Sequence, residues 1–238
     1  MERGTVKRPR TCRPFLEDAG LGRRLPPALL RQAERERVAE VRLRRGEWDG
    51  RIEGLDHGAG VLVLEGLLLR RMLLGGRVGT ELLGDGDLLR PWQTDATAVG
   101  ESRWRVLQTT RLAVFDGPAT ARLARYTGVV DELVDRTLGR ARGLVTNMAI
   151  VQQPGIELRL QALLWLLADR WGKVTPDGVR LPLRLTHAVL GEMVGARRPT
   201  VTTALSELVR RGLLESLPGG GWVLRGPPPQ PIAHGAAP

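Results

Sequence analysis

From about residue 39 to residue 115, apolar positions recur with a period of two and are interrupted by glycine about every eight to twelve residues. Val41 and Leu43 alternate with Arg42 and Arg44. The run Val61-Leu62-Val63-Leu64 is followed by Glu65-Gly66, an apolar stretch over 67–74, Gly75-Gly76, then Val78, Leu82-Leu83 and the turn-rich Gly84-Asp85-Gly86-Asp87. A further strand pair is predicted at 104–107 and 111–115, with the polar, aperiodic stretch 91–102 as a loop. Short apolar runs punctuated in this way specify a small antiparallel barrel or sandwich.

Elsewhere the period becomes helical. Residues 26–39 read as a helix opened by Pro26-Pro27. Asp116-Gly117-Pro118 marks another start, because Asp or Gly can cap and proline suits the first turn. The pattern then runs to about Val151. Val130, Val134, Thr137, Ala141, Leu144, Met148 and Val151 alternate at spacings of four and three, a heptad seam. Leu133, Leu138 and Val145 form a second stripe beside it. One helix with two apolar stripes calls for two partners, the barrel and a second copy of the same helix. Val130, Val134, Ala141, Leu144 and Met148 are the expected homodimer interface, with Gly139 and Gly143 allowing close approach of backbones. Gln153-Pro154-Gly155 is a hinge. Ile156, Leu160, Leu163, Leu164 and Leu167 share one face of the next helix, which ends near Trp171-Gly172. Residues 179–185 read as an edge strand, since Pro182 lacks a ladder donor.

Residues 186–224 carry the chemistry. Thr186 is a good N-cap for a short helix with Val189, Leu190 and Met193 inward. Val194-Gly195-Ala196 makes a turn, and Arg197-Arg198-Pro199 opens a second helix. There Val201, Leu205 and Leu208 face the core, leaving Arg198, Thr202, Thr203 and Ser206 outward. Two short helices joined by a glycine-containing turn, the second presenting arginine and threonine at its N-terminus, form a helix-turn-helix. Residues 213–217, 218–221 and 222–224 then read as a two-stranded wing. An arginine at the start of a helix in the major groove can donate twice to guanine O6 and N7. Threonine hydroxyls reach phosphates, or their methyls meet thymine. The expected DNA-binding set is Thr186, Arg197, Arg198, Thr200, Thr202, Thr203 and Ser206, with Arg198 on a base edge, Arg197, Thr200 and Thr202 mainly on phosphate, and Arg211 as an outlying phosphate contact.

Charge supports this. The net charge is +10 over 238 residues, and only Lys7 and Lys173 are lysine. Residues 1–45 carry a net +7, residues 46–154 a net −1 and residues 155–238 a net +4. Basic ends around a neutral middle suit an acidic partner such as double-stranded DNA. No apolar run approaches the roughly 20 residues needed to cross a bilayer, and no apolar segment follows the arginine-rich N-terminus, so neither a membrane span nor a secretory signal is expected and the expected location is cytoplasmic. With Cys12 alone, neither an internal disulfide nor an iron–sulfur cluster can form within one chain. Three histidines make a metal site unexpected. No Ser/His/Asp arrangement, phosphate-binding glycine loop or paired metal ligands is present, so an enzyme is not expected.

The sequence from Leu185 through Thr202 resembles the DNA-reading motif of the cyclic-AMP receptor and fumarate–nitrate reductase regulator (Crp/Fnr) family of bacterial transcription regulators. The resemblance covers about residues 20–225 and is strongest in the C-terminal third. It implies an α+β chain. The expected division is a flexible basic arm over 1–20, an antiparallel β-roll resembling a cyclic-nucleotide-binding domain over 21–117, and a dimerisation helix over 118–153. A winged helix-turn-helix over 154–225 and a disordered tail over 226–238 complete it. RNA polymerase is a further implied partner. By this similarity Arg198 falls at the family's base-reading arginine. Pro199 stands where the cyclic-AMP receptor has a base-reading glutamate, and Thr203 where it has a second arginine, so the operator is not carried over. In the β-roll Pro91 replaces the ribose-binding glutamate. Arg103 or Arg105 could still meet a phosphate, but no small hydroxyl residue follows as the family's Arg-Ser pair requires. Cyclic AMP is therefore not the expected effector, and the cofactor stays unassigned. For haem, His57 is a lone candidate that reads better as a surface turn residue. The competing functional class is a small-molecule sensor that acts mainly through protein contacts.

Overall fold

The structure, a computed structural model, describes residues 10–18, 20–93 and 100–229. It divides into two compact units, residues 1–141 and 142–238.

The first unit contains β1 (Arg10–Cys12), α1 (Pro14–Glu17), α2 (Pro27–Ala33), β2 (Val38–Leu43), β3 (Gly46–Trp48), β4 (Gly60–Leu74), β5 (Arg77–Gly84), β6 (Leu88–Leu89), β7 (Glu101–Phe115) and α3 (Gly117–Leu123), followed by α4 (Thr127–Gln152), whose last turns belong to the second unit. The strands form one antiparallel sheet in the order β1-β2-β7-β4-β5, with β3 also on β7 and β6 also on β4. It folds over on itself as a roll. The period of two now has a cause. Leu62, Leu64, Ala113 and Phe115 pack on one face of the sheet against α1–α4, with Phe15, Leu123, Tyr126, Val129 and Leu133. Val61, Val63, Leu112 and Val114 point into the roll with Leu68, Leu83 and Trp104. Both faces are covered, so the strand reads as a continuous apolar run.

Several sequence expectations are corrected here. Residues 10–18 are not part of a basic arm. Cys12 pairs with Val38 in the β1–β2 ladder and Phe15 is buried in the core; residues 1–9 lie outside the described set. Burial pushes the Cys12 thiol up to about 12. The apparent break at Glu65-Gly66 is a bulge within the single strand β4, where the register on β7 shifts. Gly66 has φ +114°, and a Cβ there would stand 2.5 Å from Thr110 Oγ1. Likewise 104–107 and 111–115 are one strand, β7. The expected continuous helix from 118 is two helices. Asp116 caps α3 by accepting from the Ala119 N–H at 2.8 Å. The chain then turns at Tyr126, whose ring packs edge-on to Phe15 and whose hydroxyl donates to Glu36 at 3.1 Å.

Helix α4 is fastened to the roll by arginines. Arg136 donates to Asp18, Glu132 and the Gly86 carbonyl, and Arg140 to Glu81 and the Leu88 carbonyl. Burial works against the Arg136 charge, but the carboxylates of Asp18 and Glu132 outweigh it and hold its pKa above the ordinary value.

The second unit continues with α5 (Ile156–Trp171), β8 (Lys173–Thr175), β9 (Gly178–Leu181), α6 (His187–Val194), α7 (Arg198–Arg210), β10 (Leu214–Ser216) and β11 (Trp222–Leu224). Its sheet runs β10-β11-β9-β8, all antiparallel. β9 is therefore internal, not an edge; Pro182 falls just after it and removes no ladder bond. The core is Leu160, Leu163, Leu164 and Leu167 of α5 with Leu181, Leu190, Val201, Leu208 and Leu224. Residues 230–238, most of the expected tail, lie outside the described set. No helix among the described residues is long and apolar enough to cross a membrane.

Candidate nucleic-acid interface

Local chemistry fixes the helix pair. Thr186 Oγ1 accepts from the Val189 N–H at 3.3 Å and starts α6. The helix stops at Gly195, which takes the left-handed conformation (φ +69°), and Ala196 N–H returns to the Gly191 carbonyl at 2.8 Å. Gly191 is required there, since a Cβ would lie 2.5 Å from the Ala196 carbonyl oxygen. Arg197 is the N-cap of α7 without a side-chain capping bond, so its side chain is not used by the helix. Pro199 lies in the first turn, where no N–H is needed.

Helix α7 is cleanly divided. Val201, Ala204, Leu205 and Leu208 are buried. Arg197, Arg198, Pro199, Thr200, Thr202, Thr203 and Ser206 are exposed, as is Thr186 at the start of α6. The seven residues expected at a DNA surface are thus all solvent-facing, and six of them lie on one helix and its cap. Three hydroxyls bond back along the helix. Thr202 donates to the Arg198 carbonyl at 3.0 Å, Thr203 to that of Pro199 at 3.3 Å and Ser206 to that of Thr202 at 3.0 Å.

Six arginines around the helix-turn-helix and the wing differ in their partners. Arg210 pairs with Glu207, Arg211 with Glu157 at 3.1 Å and Arg225 with Glu215. Among the described residues, Arg184, Arg197 and Arg198 have no carboxylate partner. Arg211 is therefore a poor choice for the phosphate contact expected of it, because its charge is already matched. Arg184 lay outside the expected DNA-binding set. Its stem lies under the wing turn between β10 and β11, where a Cβ on Gly220 would stand 2.9 Å from Arg184 Cγ. The run Gly219-Gly220-Gly221 was the available signal, since it leaves room for a side chain beneath the turn. His187, at the start of α6, was also outside the expected set. Its Nδ1 lies 2.8 Å from Thr202 Oγ1.

The second expected surface is on α4. Val130, Val134 and Met148 are exposed large apolar residues and Ala141 is exposed, but Leu144 is half-buried. Leu138 and Val145, assigned to the stripe facing the barrel, are 52% and 67% exposed, so they lie with the outer stripe. Of that inner stripe only Leu133 enters the core. The exposed row is Val130-Val134-Leu138-Ala141-Val145-Met148, heptad-spaced from Val134 onward.

For an effector the roll gives less. Arg103 is exposed and donates to Glu101 at 2.9 Å, and Arg105 faces Glu47 at 3.6 Å. Residues 94–99 lie outside the described set. His57 is exposed and hydrogen-bonds Asp56 at 2.5 Å, which holds that carboxyl below its ordinary range. Among the described residues, no group of three His, Cys, Asp or Glu side chains is placed to hold a metal.

Residues 158–227 match the model of the Crp-like helix-turn-helix domain. The global nitrogen regulator of Synechocystis sp. is 39% identical over 59 residues, which are 25% of this chain and 26% of that protein. A putative HTH-type transcriptional regulator of Porphyra purpurea is 34% identical over 62 residues, again 26% of its length. The matched segment thus spans about a quarter of these curated relatives. Among solved structures, a CooA variant from Carboxydothermus hydrogenoformans aligns with TM-score 0.59 at 19% identity, over 86% of this chain and 88% of that one. FixK2 from Bradyrhizobium japonicum aligns with TM-score 0.59 at 20% identity, over 79% and 93%. A cyclic nucleotide-binding domain containing protein from Listeria monocytogenes aligns with TM-score 0.61 at 13% identity, over 78% and 88%. These three show that the fold is shared along most of the chain.

Proposed function

We propose that this chain is a transcription regulator of the Crp/Fnr type and acts as a homodimer reading a two-fold DNA operator in the cytoplasm without cyclic AMP; the Crp-like helix-turn-helix domain matched over residues 158–227 and the fold shared with CooA and FixK2 support the reading. The observation that carries the DNA reading is the face of α7 and its cap: Arg197, Arg198, Thr200, Thr202, Thr203 and Ser206 together in solvent, with both arginines free of carboxylates. A helix N-terminus with free guanidinium groups supplies the donors that guanine and phosphate need. The homodimer reading is supported by the apolar row on α4, which is left exposed among the described residues. Coupling to RNA polymerase follows from the family alone.

The absence of cyclic-AMP dependence is argued from residues. Pro91 cannot accept a hydrogen bond from a ribose hydroxyl through a side chain, and Arg103 and Arg105 face Glu101 and Glu47. The test is selection of bound fragments from genomic DNA by the purified chain, with and without cyclic AMP. A two-fold motif recovered equally in both is the expected result. Recovery without sequence preference overturns the operator reading. Micromolar cyclic-AMP binding by calorimetry overturns the effector reading.

A further inference from the structure

Thr202 stands in the second turn of α7, exposed, and its hydroxyl has two partners. Oγ1 is 3.0 Å from the Arg198 carbonyl oxygen and 2.8 Å from His187 Nδ1 on α6. A carbonyl only accepts, so the single hydroxyl hydrogen is committed to Arg198. The contact with the imidazole must then be accepted by the threonine oxygen, which places a proton on His187 Nδ1. Among the described residues neither side chain has another partner. The hydroxyl is held from both sides, its hydrogen used and one lone pair occupied. Threonine in a helix ordinarily divides between two rotamers; here the bond to α6 selects one. With the oxygen engaged by Arg198 and His187, the γ-methyl is the part of this exposed side chain left without a polar partner. Thr203 and Ser206 differ. Their hydroxyls donate back along the helix but accept from no neighbour, so both lone pairs of each stay open and neither hydroxyl is tied to a second helix.

Resting on the proposed DNA reading, we infer that Thr202 recognises a thymine in each half-site through contact between methyl groups, not through a hydrogen bond, and that His187 is the positioning residue that fixes this methyl. In the major groove the 5-methyl belongs to thymine alone, whereas acceptors are shown by G, A and T. A free threonine hydroxyl can rotate to suit several bases. A closed one cannot, so the residue becomes selective. Hydrogen-bond donation to bases is left to Arg198, one turn earlier on the same helix. His187 acts through Thr202 and needs no contact with a base.

The experiment uses the full chain and the duplex that it selects. Each thymine in turn is replaced by deoxyuridine, which keeps every hydrogen-bonding group and lacks only the methyl. One thymine per half-site is expected to show about a three- to fourfold loss of affinity, the scale of one methyl withdrawn from a contact. Thr202→Val carries methyls at both γ positions and should keep the preference for thymine over deoxyuridine there. Thr202→Ser keeps the hydroxyl, lacks the methyl and should abolish it. His187→Ala should lower the ratio at that thymine and at no other. His187→Asn, whose amide can donate from near the Nδ1 position, should restore it. Equal binding of thymine and deoxyuridine at every position overturns the inference alone. So does a preference that Thr202→Ser retains and Thr202→Val loses. Failure to select any duplex overturns the DNA reading and this inference with it.

Discussion

At the scale of single residues, the site is defined by which polar groups the fold leaves uncommitted. Arg210, Arg211 and Arg225 are matched by carboxylates, whereas Arg184, Arg197 and Arg198 are not. Composition counts these six alike; only the contacts separate them. Arg198→Ala is expected to cost roughly 1–3 kcal/mol at the selected operator and to relax preference at one base pair per half-site. Competition binding against single-base variants measures both. Equal losses on operator and random DNA would make Arg198 a phosphate contact. Arg184→Ala is expected to weaken all duplexes about equally and to lower the slope of log affinity against log salt by about one per wing engaged. Arg211→Ala should leave that slope nearly unchanged, since its charge faces Glu157. Titrating the salt dependence of the two variants side by side decides between them, and a larger change for Arg211→Ala would reverse the assignment.

At the scale of elements, legibility followed the locality of the signal. The helix-turn-helix could be read because its determinants are short-range: the Thr186 cap, the left-handed Gly195, Gly191 against Ala196, and the period of α7. The roll was legible as a class but not in its pairing. Whether Glu65-Gly66 ends a strand or bulges within one depends on Thr110, 44 residues away, and no local pattern encodes that contact. The pairing of β1 with β2, which overturned the expected arm, is equally non-local. On α4 the exposed row shares Val130, Val134, Ala141 and Met148 with the expected seam. Thr137 and Leu138, or Leu144 and Val145, are adjacent positions about 100° apart on the helix, so period alone does not choose between them; burial of Leu133 does. A consequence follows for the dimer. Val134→Asp with Leu138→Asp places charges in the middle of the exposed row and removes no core contact. Sedimentation at micromolar concentration should show a dimer for the wild type and monomers for the variant, with the circular dichroism unchanged. A wild-type monomer would sink the homodimer reading.

For the whole molecule, the proposed homodimer would present two copies of α7 related by a two-fold axis, so its operator would repeat with the opposite polarity. Major-groove faces recur every helical turn, which puts the two half-sites about 34 Å, or 10–10.5 base pairs, apart or at a multiple of that spacing. Moving one half-site outward by five base pairs turns it to the far side of the duplex at small cost in distance. Both half-sites remain in the DNA, and the phosphate charge along the duplex is unchanged. Any loss of affinity therefore reports the geometric link between the two recognition helices, not the number of bases available. The expected result is binding that falls to the level of a duplex with one half-site, a loss of at least about tenfold within the specificity range of such regulators. A shift of ten or eleven base pairs restores the helical face, so its loss should be smaller unless the dimer cannot span the added length. Band-shift titrations at fixed salt compare the three duplexes. Equal affinity for the original and the five-pair variant would mean that the two DNA-binding units are not held by a common dimer helix, and would count against the role proposed for Val130–Met148 of α4.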